Sequence, residues 1–570
     1  MKGPLFSFLI IVVYAMSSHI AAQSPTPTPQ LPDDLKGVPV VAPDYRSDER
    51  ALPEIGRVGV DLLQQKTLTL REAIEIALEN NRDIEVSRKT ARMAEYDLAL
   101  ARGITQPRLT GQTYYDRTTT PNVSIFSSNQ KTTNGSLLGN VALTGSRLES
   151  GTQFQGFFNN QRITTDNPIS ILSPQLNSSL GFSITQPLFR GRKFDQTRRS
   201  IEIAKRNIEL TDTQFRQRSI ETVATVQKAY WDLTFALRNL QVQRDAVRDA
   251  KDQLAHNRRL VDEGQLAPID IVASETQVAN FEQFVYDALN TVNVAENVLK
   301  NLLSPNRTSN IWNEALMPID SVEIAVPNQS LTEAMTLAID NRPELEVNKA
   351  QKDINIIDQR HYKDQKKPQI DFIASVSENG IGGSSNPNFN PSFPTPCNAN
   401  PPNPQGCAQQ QANLALLTGS PLRGIFANRY PTFRVGVSFN LPLFGDKSAE
   451  AQYGKSMVEA ERIQTQREAL EQGIQVEVRN ALQSIRTTEA RLRSAAVARE
   501  NSVKQYESEK RKLDEGQSDV YKVLERQTAL ATAKSNELRA RTELNKAVAE
   551  LQRATGHTLI ANDIKTKLRK

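Results

Sequence analysis

Between Lys193 and Glu263 the chain carries neither Gly nor Pro, the two residues that most often interrupt a helix. Within it Val226, Tyr230, Leu233, Leu237, Leu240, Val247, Leu254 and Val261 recur at steps of three, four or seven residues, a heptad seam. A helix of this length spans roughly 100 Å at about 1.5 Å per residue. Asp262-Glu263-Gly264-Gln265 then reads as a sharp turn, and a second helix runs back to Leu303. The same unit returns from Lys447 to Thr555, with its own turn at Asp514-Glu515-Gly516-Gln517. Two such hairpins in one chain predict an elongated molecule built for reach.

The helices are embedded in a duplication. Leu70-Arg-Glu-Ala73 matches Leu331-Thr-Glu-Ala334, Asn80 matches Asn341, Glu85-Val86 matches Glu346-Val347 and Pro107 matches Pro368, all at one constant offset. Thr69 is a helix N-cap with Glu72 three residues on. After Pro107 and Pro368 the period changes to two: Ile370, Phe372, Ala374 and Val376 alternate with Asp371, Ile373, Ser375 and Ser377. Leu180 to Thr185 and Phe433 to Leu441 alternate likewise. Such strands, apolar on one side and small or polar on the other, suit a membrane barrel with a wet interior, although a soluble sandwich shows the same alternation. Four strands cannot close a barrel alone, so a barrel would have to be oligomeric. Each second strand ends in a matched junction, Gln186-Pro187-Leu188-Phe189 and Leu441-Pro442-Leu443-Phe444, ahead of a long helix. Long polar loops join the strand pairs. The first holds an extra hairpin at Val141-Ala-Leu143 and Gln153 to Phe157, and the second is expected to be irregular.

Lys2, an apolar run from Leu5 to Tyr14 and small residues up to Ala22 read as a secretory signal peptide. No later segment is apolar for long enough to be a transmembrane helix, so a membrane crossing would use strands. A formal net charge of +5, from 69 basic and 64 acidic residues, gives no support to nucleic-acid binding. The four His are scattered without metal or triad spacing, no phosphate-binding Gly loop is evident, and neither catalysis nor a cofactor is expected. Cys397 and Cys407 lie in a Pro/Asn/Gln-rich loop, where a disulfide is favoured over free thiols for an exported chain.

Taken in order, these features resemble the TolC family of outer-membrane efflux proteins from about residue 67 to 556. The resemblance rests on the duplicated Leu-x-x-Ala-x-x-x-Ala-x-x-x-Asn start, the Pro-led first strand and the second strand ending in Pro-Leu-Phe. The long helix and the Gly-centred turns Leu260-Val-Asp-Glu-Gly264 and Lys512-Leu-Asp-Glu-Gly516 complete it. It implies a mainly α chain with a membrane β-barrel part, in which three protomers give four strands each to one 12-stranded barrel continuous with a long periplasmic α-barrel. The divisions expected are a signal peptide (1–22), a Pro-rich disordered leader (23–66) and a first repeat (67–304). This repeat has strands near 108–117 and 178–187 and a helical hairpin over 192–303. A connector (305–329) leads to a second repeat (330–556), with strands near 369–378 and 431–442 and a hairpin over 446–555, and a tail (557–570) ends the chain.

The resemblance further implies an exit duct in the outer membrane with a large periplasmic part, working with a periplasmic adaptor and an inner-membrane transporter. Adaptor contacts would fall at the tip turns, Gly264, Gln265, Gly516 and Gln517. The aperture would be gated just beyond the glycines, by Asp270, Lys522 and Glu525. Lys522 stands where the family pattern has an Asp, and an ion pair of Asp270 or Glu525 with Lys522 would hold the tip closed. The plainer alternative is that all three are solvated surface charges. A periplasmic coiled-coil scaffold without a pore is the competing reading of the whole chain, and the alternating strands argue against it.

Overall fold

The computed structural model describes residues 56–122, 130–323, 325–390, 394–401, 403–442 and 445–564. The expected signal peptide, residues 23–55 of the leader, Leu443, Phe444 and residues 565–570 of the tail lie outside the described residues.

Each repeat begins with a short helix and a longer one: α1 (Leu70–Asn80) and α2 (Arg82–Gly103), then α5 (Leu331–Asn341) and α6 (Pro343–Gln365). The predicted capping box is present in both copies. Thr69 Oγ1 accepts from the Glu72 N–H at 3.2 Å, and Ser330 Oγ from the Glu333 N–H at 3.2 Å. The long hairpins are α3 (Gln196–Asp262) with α4 (Pro268–Leu303), and α9 (Lys447–Asp514) with α10 (Val520–Ala554). With 67 residues in α3 and 68 in α9, each outgoing helix runs about 100 Å. Asp195 and Asp446 start them by accepting the Arg198 and Ala449 N–H groups at 2.8 and 2.9 Å.

The helices form a wall four wide. Nearest the strands the order is α2, α3, α6, α9; further away it is α4, α3, α10, α9. The heptad stripe faces its neighbours as expected, with Val226, Tyr230, Leu233, Leu240 and Val247 buried and Leu237 and Leu254 packed beside them. One apolar cluster per repeat marks the middle of the wall. Tyr230, Trp231 and Leu233 pack against Ile74 of α1 in the first, and Val478 and Ile485 against Ala334 and Ala338 of α5 in the second.

The leader is shorter than expected. Asp61–Leu68 is a strand (β1) that pairs in parallel with Glu314–Pro318 (β6) of the connector, so residues 61–66 belong to the fold. Their anchor is a buried charge cluster. Glu296 Oε2 accepts from Arg57 Nη1 at 3.0 Å, and Glu296 Oε1 from the Leu316 N–H at 2.8 Å. Lys300 Nζ lies 3.6 Å from the same carboxylate and donates to the Trp312 carbonyl at 3.1 Å. Burial pushes the Lys300 ammonium below its usual value while Glu296 pulls it back.

The sheet departs most from expectation. It has six strands in the order β2 (Arg108–Pro121), β3 (Lys131–Arg147), β4 (Thr152–Thr165), β5 (Leu172–Pro187), β7 (Gln369–Ser385) and β8 (Pro431–Asn440), every neighbouring pair antiparallel. The hairpin expected inside a loop is instead two full strands placed between the expected first and second ones. Four strands per protomer are therefore six, and twelve strands no longer follow from three copies. Strands β2, β5 and β7 are also longer than expected, up to the 17 residues of β7, whereas β8 ends two residues early at Asn440. The loop between β7 and β8 is not irregular throughout. It contains α7 (Pro404–Leu417) and α8 (Leu422–Phe426), and Cys397 and Cys407 are joined in a disulfide. Helix α8 lies on β7 at Gly380, where any side chain would meet the Pro421 backbone. A four-residue helix, α11 (Thr558–Ala561), ends the fold and places Leu559 in the first apolar cluster.

Paired residues in antiparallel strands share a face. One face thus carries Leu109, Val141, Phe158, Leu180, Val376 and Phe433, and the other carries Gln112, Asn140, Asn159, Ser179 and Asn379. The first is mostly apolar and largely exposed, with Arg162 and Glu378 among its charged members, and the second is lined mainly by amides and hydroxyls, with Arg108, Asp371 and Arg434 also on it.

Removing the carboxylate of Glu296 strands two cations beneath the sheet of β1 and β6. Glu296→Ala is expected to cost about 3–5 kcal/mol and Glu296→Gln distinctly less, measured by chemical denaturation of the purified protein.

Candidate functional site

The end of the wall farthest from the six-stranded sheet gathers most of the polar residues singled out in the sequence. Helix α3 closes with Glu263 as C-cap and Gly264 at φ +75°. The Gly264 N–H donates to the Val261 carbonyl at 2.9 Å and the Gln265 N–H to the Leu260 carbonyl at 2.8 Å. Helix α9 repeats this with Gly516 at φ +70°, its N–H to the Leu513 carbonyl at 2.9 Å and the Gln517 N–H to the Lys512 carbonyl at 2.7 Å. Both are Schellman closures, in which the left-handed residue reverses the chain and satisfies the last helical carbonyls. Gly264, Gln265, Gly516 and Gln517 are all exposed, so both turns present surface.

The two turns form one tip. Leu266 of the first packs with Leu513, Val520, Val523 and Leu524 of the second. His256 Nε2 of α3 lies 3.0 Å from Asp514 Oδ1 of α9, and Gln277 Nε2 of α4 donates to Thr528 Oγ1 of α10 at 2.6 Å.

Each of the three gate candidates has a local setting. Asp270 Oδ2 accepts from the Ala267 N–H at 3.2 Å, capping the start of α4 behind Pro268. Lys522 has a partner three residues back: its Nζ lies 3.1 Å from Asp519 Oδ2, and its N–H donates to Asp519 Oδ1 at 2.9 Å. Those two contacts hold the Asp519 carboxyl below its usual range. Glu525 is exposed and lines a cleft of about 1210 Å³ between α4, α9 and α10, whose other walls include Tyr521, Ala273, Ala495 and Ala529. Within one chain Lys522 thus pairs with Asp519 rather than with Asp270 or Glu525. Asp519 does carry a sequence signal, since an Asp three residues before Lys522 and directly ahead of Val520 is an N-cap signature. His256 carries no such local signal, because its partner Asp514 lies in the other repeat.

A family model for outer membrane efflux proteins matches residues 73–304 and 337–557. The chain belongs to this family. Its members are transport conduits rather than enzymes, and the protein is an outer-membrane channel with a large periplasmic helical part. Solved structures of the same fold include the outer-membrane channel OprN (TM-score 0.59, 16% identity, covering 91% of this chain and 99% of that one). The CmeC channel of Campylobacter jejuni follows at TM-score 0.59 and 14% identity, covering 91% of this chain and 95% of that one. The open-state MtrE channel of Neisseria gonorrhoeae gives TM-score 0.57 and 15% identity, covering 86% and 89%. No curated protein matches the sequence significantly.

In this efflux channel the same Gly→Ala change should have opposite signs at two places on α9. At Gly516 the left-handed backbone penalises a Cβ by about 1–2 kcal/mol, whereas at Gly473, inside the helix with open space around it, Ala is stabilising by up to about 1 kcal/mol. Hydrogen exchange should accelerate at the tip in Gly516→Ala and slow along mid-α9 in Gly473→Ala.

Proposed function

We propose that three copies of the chain assemble into an open-ended exit duct of a tripartite efflux or type I secretion system. Cargo moves passively through it across the periplasm and outer membrane. An inner-membrane transporter supplies the energy and a periplasmic adaptor joins transporter to duct. The observation that carries this reading is the combination in one polypeptide of an amphipathic sheet and a helical wall about 100 Å long. A scaffold without a pore has no use for a sheet that is apolar on one face and amide-lined on the other.

The adaptor meets the tip at the exposed turns around Gly264, Gln265, Gly516 and Gln517. Asp270, Lys522 and Glu525 set the aperture just above. Within one copy Lys522 is held by Asp519, and the closed tip is completed where Lys522 of one copy meets Asp270 or Glu525 of a neighbouring copy.

Reconstitution in planar lipid bilayers tests this. The purified protein should give discrete ion-conducting steps, and Lys522→Ala with Glu525→Ala should raise the single-channel conductance severalfold. A protein that inserts without conducting contradicts the duct. Wild-type conductance in the double variant contradicts only the gate assignment.

A further inference from the structure

The number of strands in the ring follows from the sheet of one protomer. We propose that the barrel has eighteen strands, closed by antiparallel pairing of β8 of each protomer with β2 of the next. This rests on the trimer proposed above and departs from the twelve strands that four per protomer would give.

The inserted hairpin is part of the barrel wall. Strand β3 pairs with β2 along its length, from Arg108↔Thr144 to Pro121↔Lys131, and β4 pairs with β5 from Gln153↔Thr185 to Ile163↔Gln175. Its turn is fastened to the wall and to the neighbouring strand: Arg198 Nη1 of α3 donates to the Glu149 carbonyl at 3.3 Å, and Gln186 Nε2 of β5 donates to the Ser150 carbonyl at 3.1 Å. The apolar face continues across it through Leu137, Val141, Leu143, Phe154 and Phe158. If β3 and β4 were folded out of the ring, that face would have no lipid to meet and both strands would lose a backbone partner.

The edges call for another copy. Every residue of β2 and β8 is exposed in the protomer, with Phe433 at 74%, Val435 at 72% and Phe439 at 70%. In a bilayer a row of unpaired N–H and C=O groups beside such side chains is untenable, each group costing several kcal/mol. Six strands are fewer than the eight of the smallest membrane barrels. Strand β2 runs away from α2 and β8 runs back to α9, so a β8–β2 contact between copies is antiparallel like every other pair in the sheet.

The perimeters agree as well. Six strands about 4.8 Å apart and tilted about 40° occupy an arc of roughly 38 Å, while four helices at about 9–10 Å spacing occupy roughly 36–40 Å. Four strands would cover roughly 25 Å above the same wall. Because barrel diameter grows nearly linearly with strand number, the pore is about one and a half times as wide as a 12-stranded one. One rung across its inner face reads Gln112, Asn140, Asn159, Ser179, Asn379, with no charge. Another rung of the same face carries Arg108 and Arg434 at its two ends, so the amide-lined rung is bordered by charge.

Electron cryo-microscopy of the full chain in lipid nanodiscs counts the strands directly. Eighteen strands around a three-fold axis, with β8 beside the next copy's β2, is the expected result. Twelve strands around a three-fold axis, with β2 beside β5, overturns the proposal and leaves the trimer intact. Six-stranded arcs repeated about any other axis overturn it together with the trimer. In parallel, Leu109→Cys or Gly111→Cys combined with Val435→Cys, Val437→Cys or Phe439→Cys samples the possible registers. At least one pair should yield a covalent trimer on a non-reducing gel, and failure of all pairs counts against the closure.

Discussion

A strand edge cannot stand bare in a membrane. Backbone N–H and C=O groups there have no water to turn to, and the protomer has two such edges, β2 and β8, flanked by exposed aromatic and β-branched side chains. The remainder of the architecture answers to this constraint. In the proposed assembly the mostly apolar face meets lipid, the amide-rich face meets water, and other copies complete the sheet. Barrel closure in that assembly would also set the copies side by side and gather their tips, Glu525 included, around one axis.

Beneath the sheet the duplication does the spacing. Strands β2, β5, β7 and β8 each connect to one helix of the four-wide wall, α2, α3, α6 and α9, in the same lateral order. The middle is secured by two matched apolar clusters and, in the first repeat, by the buried Arg57–Glu296–Lys300 group. This cluster ties the incoming chain across α4. Because loss of one member leaves a buried charge unmatched, the cluster is costly to break.

Much of this was legible in the residues. A Gly- and Pro-free run with a heptad seam can hardly be anything but a long helix, and Gly264 and Gly516 mark its reversals because a left-handed backbone is needed there. The inserted strands were not legible at full length. In β3 and β4 the outward residues include Gly139, Gly145, Gly156 and Asn160 as well as Leu and Phe, so the alternation fades and only short stretches stand out. Strand β1 was hidden for a different reason: Asp61–Lys66 is mostly polar and pairs only because the connector lies alongside. At the tip the charges themselves were found, yet their partners were not. Asp519 is a local capping residue, and the His256–Asp514 contact joins positions 258 residues apart.

The claim that most of the account depends on is that both edges of the sheet are paired in the membrane. Amide hydrogen exchange on the protein in outer-membrane vesicles reads this directly. Arg108–Pro121 and Pro431–Asn440 should be protected for as long as the central strands Thr152–Thr165 and Leu172–Pro187. Exchange of either edge strand within seconds, with the central strands still protected, would contradict the account.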